Sequence, residues 1–198
     1  MPSNCAQEKL LTALGCKKTT ECSYLQYRGN GWPGFTTAIN RSGEKRQMNY
    51  EESWGKILGR DVRECCRFCF DGIGEFADIA CGDFWYLTDD NKPDFREADG
   101  RNIVFARTDI GSDLLQAALK DDYLYLEDCQ ISELKYVQKY QYDRKIFMNS
   151  MIQGLKLSGR KFPKYEKKIM KSFASMKPLY IRLRRTLGII KRIRSGKI

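Results

Sequence analysis

This chain of 198 residues contains no histidine. That absence excludes Ser-His-Asp and Cys-His hydrolases, acid–base catalysis by imidazole, and metal sites with histidine ligands. Any metal must therefore be held by sulfur or carboxylate ligands, and sulfur ligands select zinc or iron–sulfur clusters.

Long apolar runs and an export signal are also missing. No run approaches the roughly 20 apolar residues that span a bilayer, and the mean hydropathy is −0.55. The first residues lack a basic start and an apolar segment, so we expect no signal peptide. The predicted location is the cytoplasm, where the eight cysteines stay reduced and serve as ligands or buried thiols.

Acidic residues are scarce in the last part of the chain, although the net charge of the whole is +10. The chain has 35 Lys/Arg and 25 Asp/Glu residues. From Gly154 onward there are 15 Lys/Arg and one acidic residue, so the part before Gly154 has 20 Lys/Arg and 24 acidic residues. A nucleic-acid-binding domain is expected to carry its positive charge on the folded body. The charge distribution therefore argues against a nucleic-acid partner.

The pattern of apolar residues predicts an α/β or α+β fold, with a mixed β-sheet, flanking helices and a helical, basic C-terminal extension. We predict one domain over residues 1–163 and the basic helical tail over residues 164–198. In the first half, the pattern predicts a helix at Ser3–Leu14 and a strand at Cys22–Tyr27. It then predicts a β-hairpin at Phe35–Asn49 and a short helix at Tyr50–Leu58.

In the second half, the pattern predicts a β-α-β unit. It consists of a strand at Asn102–Arg107, a helix at Thr108–Leu119 and a second strand at Tyr123–Leu126. A buried strand is predicted before it, at Ala77–Trp85. Helical patterns follow from Ile131 to about Leu157 and again from Tyr165, with an interruption at Pro178.

Four of the eight cysteines lie close together, at Cys65, Cys66, Cys69 and Cys81. The Cys-x-x-Cys pair, Cys66 and Cys69, can place two sulfurs on one metal atom, whereas a closed site needs four ligands. The alternative is that these are reduced structural thiols, since free cysteine packs like a small apolar residue. A thioredoxin-like redox pair is less favoured because no helix clearly starts at Cys66.

Two glycine-containing turns are candidates for binding an anionic or planar ligand. The first, Arg28–Gly34, contains three glycines, a cation and the indole of Trp32, and its alternative is a stiff hairpin connection with that indole packed on the core. The second, Arg107–Gly111, lies between a strand and a helix, where open sheets bind phosphates. Its alternative is an ordinary helix-capping turn.

The tail predicts a basic amphipathic helix. Its apolar positions share one face of the helix: Leu179, Leu183, Leu187, Ile190 and Ile193. Arginines and lysines occupy the rest of the helix surface. Such a helix can lie on an anionic membrane or dock on an acidic partner. A solvated terminal helix that caps the core explains the pattern about as well.

These motifs occur together, in order, in one known family. They span Tyr27–Gly34 (Tyr-Arg-Gly-Asn-Gly-Trp-Pro-Gly), Glu52–Trp54, Cys66–Asp71, Ala77–Ile79, Gly82–Trp85 and Gly100–Gly111. The chain resembles the C-terminal domain of the coenzyme F-420 hydrogenase/dehydrogenase beta-subunit family, over roughly Met1 to Pro163.

The resemblance implies an oxidoreductase that uses FAD for hydride exchange and iron–sulfur clusters for single electrons. By this resemblance, Cys66 and Cys69 are ligands of a 4Fe-4S cluster. The flavin or substrate is expected near both turns and the Gly82-Asp83 motif, at Arg28, Asn30, Gly31, Trp32, Gly34, Asp83, Arg107, Thr108 and Gly111.

The resemblance also predicts a partner. Family members usually carry a ferredoxin-like part with clustered cysteines, which this chain lacks, so a redox partner subunit or ferredoxin-like domain is expected to supply the remaining ligands. Cys81 stands where a small hydroxyl residue is expected, which leaves its role as a ligand open. The alternative functions are a non-catalytic scaffold that docks on a partner or membrane through its tail, and a zinc-binding structural module.

Overall fold

The computed structural model describes residues 1–196 and confirms a fold of mixed helices and strands. The chain divides into two compact units. Unit 1 contains Met1–Arg67 and Asp94–Arg101, and unit 2 contains Phe68–Pro93 and the chain from Asn102 onward. The domain boundary at residue 163 stays a prediction, and the last two residues of the predicted tail, 197–198, lie outside the described residues.

Unit 1 begins with helix α1 (Asn4–Ala13) and continues into an antiparallel sheet, β1 (Cys22–Gln26), β2 (Thr36–Asn40) and β3 (Lys45–Met48). The predicted cap is present, since the Ser3 hydroxyl oxygen accepts a hydrogen bond of 3.0 Å from the Ala6 amide. The predicted hairpin is also confirmed. Its turn is closed by the Asn40 side chain, whose oxygen accepts from the Ser42 amide at 3.1 Å, as expected of an Asx turn, and also from the Glu44 amide at 2.9 Å.

The rest of unit 1 consists of short helical segments: a 3-10 turn at Thr19–Glu21, a π-helical segment at Glu51–Leu58 and α2 (Glu64–Arg67). Its core is built from α1, β2 and the π-helical segment, with Leu10, Ala38 and Leu58 buried together. Tyr27 and Trp54 pack against this cluster. The core therefore lies directly beneath the start of the Arg28–Gly34 loop.

Unit 2 contains a second antiparallel pair, β4 (Ile79–Asp83) with β5 (Asn102–Ala106), followed by α3 (Asp109–Lys120). The predicted strand at Tyr123–Leu126 is wrong: the segment has no strand structure. Tyr123 and Tyr125 are 84% and 82% exposed. Alternating side chains favour a strand only where a partner strand and a buried face exist, and the β-α-β unit is therefore absent from the described residues.

After α3, the chain forms a 3-10 turn at Ile131–Glu133. The remaining helices of unit 2 come after this turn: α4 (Leu134–Val137), α5 (Lys139–Leu157), α6 (Lys167–Ser175) and α7 (Leu179–Arg194). The single helix predicted from Ile131 to Leu157 is thus interrupted at Gln138, whose φ of −110° and ψ of 41° are not helical. The predicted break at Pro178 is confirmed, because α7 begins directly after it. Among residues 1–196, no helix combines the length and hydropathy needed to cross a bilayer.

The core of unit 2 is formed by α5 against α6 and α7. Met148, Ile152 and Leu155 of α5 are buried with Met170 of α6 and Ile189 of α7. The basic tail helices therefore contribute apolar side chains to a core, in addition to carrying the charge.

Candidate functional site

The Arg28–Gly34 loop is held by backbone conformations that glycine favours and by a distant carboxylate. Gly31 has a φ of 134°, Gly34 of 71°, and Asn30 adopts a left-handed φ of 54°. Both carboxylate oxygens of Glu97 accept from the loop: one from the Trp32 amide, and the other from the Gly34 amide at 3.4 Å. The loop is thus an anion-binding turn whose anion is a side chain of the same unit.

The two large side chains of this loop also have partners in unit 1. The Arg28 Nε donates to the Pro33 carbonyl oxygen at 3.1 Å, and its guanidinium lies 5.5 Å from the centre of the Tyr50 ring. Trp32 packs against Gly100, where a Cβ atom would lie 2.9 Å from the indole. These contacts favour the structural interpretation of the loop, while a ligand role for Arg28, Asn30, Gly31, Trp32 and Gly34 stays a prediction.

Cys66 lies in α2 and belongs to unit 1. Burial opposes ionisation of its thiol, but the hydrogen-bonding Cys65 thiol 3.9 Å away, the amino group of Met1 and the Arg63 guanidinium together outweigh it. The pKa of Cys66 therefore lies below its ordinary value. Since the thiolate is the form that binds metals, this surrounding favours ligation.

Cys69 belongs to unit 2, where its thiol donates to the Asp71 carbonyl oxygen at 3.1 Å. The Asp71 carboxylate in turn accepts from the amides of Ile73 and Glu75, at 3.3 and 2.8 Å. Cys66 is thus assigned to unit 1 and Cys69 to unit 2, and Asp71 organises the turn that follows Cys69.

Within residues 1–196, no three cysteine or acidic side chains come together in a way that could hold a metal ion. Cys81 is an exposed thiol in β4, and all eight cysteines are unpaired. The described residues therefore do not complete a four-ligand cluster, and Cys66 and Cys69 as metal ligands stay a prediction.

The Arg107–Gly111 turn joins β5 to α3 and is engaged within unit 2. The Thr108 hydroxyl caps α3 by accepting from the Gly111 amide at 3.2 Å, and it donates to the Asp78 carboxylate at 2.6 Å. Arg107 donates to the Ile73 carbonyl oxygen at 2.8 Å. These contacts agree with a helix-capping turn, and the predicted ligand contacts of Arg107, Thr108 and Gly111 are not tested by them.

Gly111 has a packing role that its sequence context did not predict. A Cβ atom at this position would lie 2.2 Å from the Asp78 carbonyl oxygen and 3.2 Å from Ile79. Only glycine lets the first turn of α3 approach the start of β4 so closely.

Asp83 differs from the other predicted residues because it lines a cavity. This cavity, of about 410 Å³, lies within unit 2, on the face of the β4–β5 pair that carries Gly82, Ile103 and Phe105. The wall of the cavity opposite the β4–β5 pair is formed by residues that the sequence did not predict as site residues. They are Gln138, which directly precedes α5, and Gln141 and Lys145 of α5. No motif marks them, because their position depends on how α5 packs.

Residues 2–132 match the family model for the C terminus of the beta subunit of coenzyme F420 hydrogenase/dehydrogenase. The chain belongs to this family. All six motifs that carry the resemblance lie inside the match, which makes this a redox domain of the hydrogenase/dehydrogenase beta-subunit type. The α5, α6 and α7 helices of this beta-subunit domain lie beyond the matched residues.

Among solved structures, the chain is similar to one from the xenon-derivatised F420-reducing [NiFe] hydrogenase complex of Methanosarcina barkeri. The two are 15% identical, with a TM-score of 0.47. The alignment covers 82% of this chain and 50% of that chain, so the beta-subunit domain spans about half the length of the solved chain. A search of the curated proteins gave no match.

Proposed function

We propose that this chain is one part of an electron-transfer enzyme, contributing Cys66 and Cys69 to an iron–sulfur site that a partner completes. The family match carries the proposal, because the family is one of hydrogenase and dehydrogenase beta subunits. The lowered pKa of Cys66 supports it. A 4Fe-4S cluster takes four thiolates, so a two-thiolate contribution calls for a partner subunit or ferredoxin-like domain.

The proposal includes FAD, whose chemistry is to accept a hydride and release single electrons. The residues predicted to hold it do not fit a pyrophosphate in their present arrangement. The Trp32 and Gly34 amides are bonded to Glu97, and Thr108 is bonded to Asp78. A flavin phosphate at the Arg28 loop would have to displace the Glu97 carboxylate from the Trp32 and Gly34 amides.

Anaerobic reconstitution with iron and sulfide tests the thiolate assignment. With excess dithiothreitol present to supply the two thiolates that a partner would contribute, we expect the wild-type chain to acquire iron, sulfide and visible absorbance, and Cys66→Ser and Cys69→Ser each to reduce the bound iron to background. Cys129→Ser is the matched control, since this exposed thiol lies outside the Cys-x-x-Cys pair. Bound iron that is unchanged in Cys66→Ser would refute the assignment, and zinc as the sole bound metal would favour the structural module instead.

A second candidate function, docking on an anionic membrane, is favoured by the exposed face of α7. The predicted apolar face is divided: Ile193 packs against the core, whereas Leu179, Leu183 and Leu187 are 63%, 55% and 65% exposed. The helix has five arginines, one lysine and no acidic residue. An exposed leucine stripe beside basic side chains is the composition of an interfacial helix.

Vesicle sedimentation tests this docking. We expect the chain to pellet with mixed phosphatidylserine–phosphatidylcholine vesicles and to remain in solution with phosphatidylcholine alone. Changing Leu179, Leu183 and Leu187 together to serine is expected to weaken binding on the order of tenfold or more, because three side chains no longer enter the apolar layer. Deleting α7 is a poorer test, since deletion also removes Ile189 from the core.

The control for this experiment is a variant with Ile110→Ser and Leu114→Ser. These side chains are also exposed, but they lie on α3 beside Asp109 and Asp113 rather than among arginines. We expect this variant to pellet like the wild type. Equal sedimentation of the α7 variant and the wild type would exclude the membrane as the partner of this helix.

A further inference from the structure

The segment that follows α3 combines strand-forming side chains with acidic ends. This acidic segment, Asp121–Asp128, has the sequence Asp-Asp-Tyr-Leu-Tyr-Leu-Glu-Asp and contains no basic residue. Its acidic side chains are exposed, and so are Tyr123, Tyr125 and Leu126. Aromatic side chains favour a strand where a neighbouring strand packs against them. The segment therefore has the composition of a strand that lacks its neighbour.

The backbone of the acidic segment is available for pairing. Among the residues that the structure describes, no backbone amide or carbonyl from Leu124 to Asp128 takes part in a backbone hydrogen bond. An exposed run of unpaired backbone groups with strand-forming side chains can join the edge of a sheet as an additional strand.

Strand β3 offers an edge of matching charge. The sheet of unit 1 has the order β1-β2-β3, so the outer edge of β3 pairs with no strand within residues 1–196. Lys45, Arg46 and Gln47 of β3 are exposed, and none of the other described strands contains a lysine or an arginine. Lysine on an edge strand discourages indiscriminate pairing. An acidic strand is the kind of partner that such an edge admits, because opposite charges across two strands stabilise the pair.

From these observations we infer that two copies of this chain associate, each adding its acidic segment to the outer edge of β3 in the other copy. An antiparallel register with Glu127 opposite Arg46 also places Asp128 opposite Lys45, so both cations of β3 face an acid. The exposed ion pair of Arg46 with Glu44 does not prevent this, since surface ion pairs contribute little. Because each copy gives one strand and receives one, the assembly closes as a two-fold dimer. The inference does not depend on the proposed iron–sulfur role.

Sedimentation velocity of the full chain tests the dimer. Two short strand pairings form a small interface, so we expect a dissociation constant on the order of micromolar. With loading concentrations on both sides of this value, the chain should shift from monomer to dimer, and the shift should weaken in high salt. A chain that stays monomeric throughout, as pairing within one copy would leave it, overturns the inference.

Charge reversal on both sides identifies the contact. Glu127→Lys with Asp128→Lys makes the segment basic, and Lys45→Glu with Arg46→Glu makes β3 acidic. Each variant alone then faces like charges and should dimerise at least tenfold more weakly than the wild type. An equimolar mixture of the two variants restores opposite charges at both contacts and should dimerise like the wild type. A mixture that stays monomeric would contradict the assigned contact.

Two control variants carry the same changes of charge at other exposed, adjacent pairs. They are Asp89→Lys with Asp90→Lys, and Lys167→Glu with Lys168→Glu. We expect both to dimerise like the wild type. Weakening as large as in the charge-reversed variants would attribute the association to net charge alone and overturn the inference.

A proline variant tests the backbone pairing without any change of charge. Successive amides of a strand point to opposite sides, so Leu124→Pro with Tyr125→Pro removes an amide facing β3 in either register. Since neither amide has a backbone partner in the described chain, the monomer should keep its thermal midpoint while dimerisation weakens at least tenfold. Dimerisation of this variant at wild-type strength would place the contact elsewhere and overturn the inference.

Discussion

Replacing Gly111 by alanine is expected to lower the free energy of unfolding by about 2–3 kcal/mol, as overpacking of a close contact does. The new Cβ atom would lie 2.2 Å from the Asp78 carbonyl oxygen, which is backbone and cannot rotate away. The first turn of α3 must then move away from β4. This movement stretches the hydrogen bond of 2.6 Å that the Thr108 hydroxyl donates to the Asp78 carboxylate.

The matched control is the same substitution in α7. A Cβ atom at Gly188 meets nothing within 4 Å, so Gly188→Ala should raise stability by ~0.5–1 kcal/mol through helix propensity alone. Urea unfolding followed by circular dichroism measures both. Opposite signs are expected for the two variants, and a Gly111→Ala chain as stable as Gly188→Ala would contradict the packing role.

This result bears on how the Arg107–Gly111 turn is interpreted. If Gly111→Ala is destabilised as expected, any loss of flavin binding in that variant reports the displacement of α3 as well as a ligand contact. Variants of Arg107 that keep the fold are then the cleaner test of a ligand role for this turn.

Replacing Gly154 by valine is expected to detach α7 from α5 and to cost about 3 kcal/mol or more of unfolding free energy. A Cβ atom at Gly154 would lie 2.6 Å from the Ile189 Cβ and 3.2 Å from the Thr186 carbonyl oxygen. Moving α7 away from α5 exposes Ile189. It also breaks the hydrogen bond of 3.2 Å that the Thr186 hydroxyl donates to the Ser150 carbonyl oxygen.

Thermal unfolding and limited trypsin digestion measure this change. In the wild type, α7 is folded against the core, whereas in Gly154→Val trypsin should cleave quickly after Arg182, Arg184 and Arg185. Gln153→Val is the control, because the neighbouring position on α5 is exposed and surface changes usually stay within about 0.5 kcal/mol. Equal midpoints and equal digestion of the two variants would show that α5 tolerates bulk against α7.

The features that sequence predicted well depend on residues close together in the chain. The Ser3 cap, the hairpin closed by Asn40 and the break at Pro178 each involve partners within about four residues. Their physics is local, because hydrogen bonds from caps and turns and the fixed φ of proline act on the immediate backbone.

The predictions that were wrong required information about distant partners. Tyr123–Leu126 has the alternation of a strand, but it is exposed chain because no strand among residues 1–196 pairs with it. The long helix predicted after Ile131 was interrupted at Gln138, whose side chain donates to the Asp83 carbonyl oxygen, 55 residues earlier in the chain.

By itself, the sequence determined the family, the absence of histidine chemistry, the Cys66–Cys69 pair and the basic composition of the tail, because residue identity alone carries these properties. The tertiary structure decided which groups meet. It placed the Glu97 carboxylate on the Arg28 loop and the Asp78 backbone against Gly111, and it brought Gln141 to the wall of a cavity that no motif marks. It also turned Ile189 toward the core and left Leu179, Leu183 and Leu187 exposed, because packing against α5 uses only one side of α7.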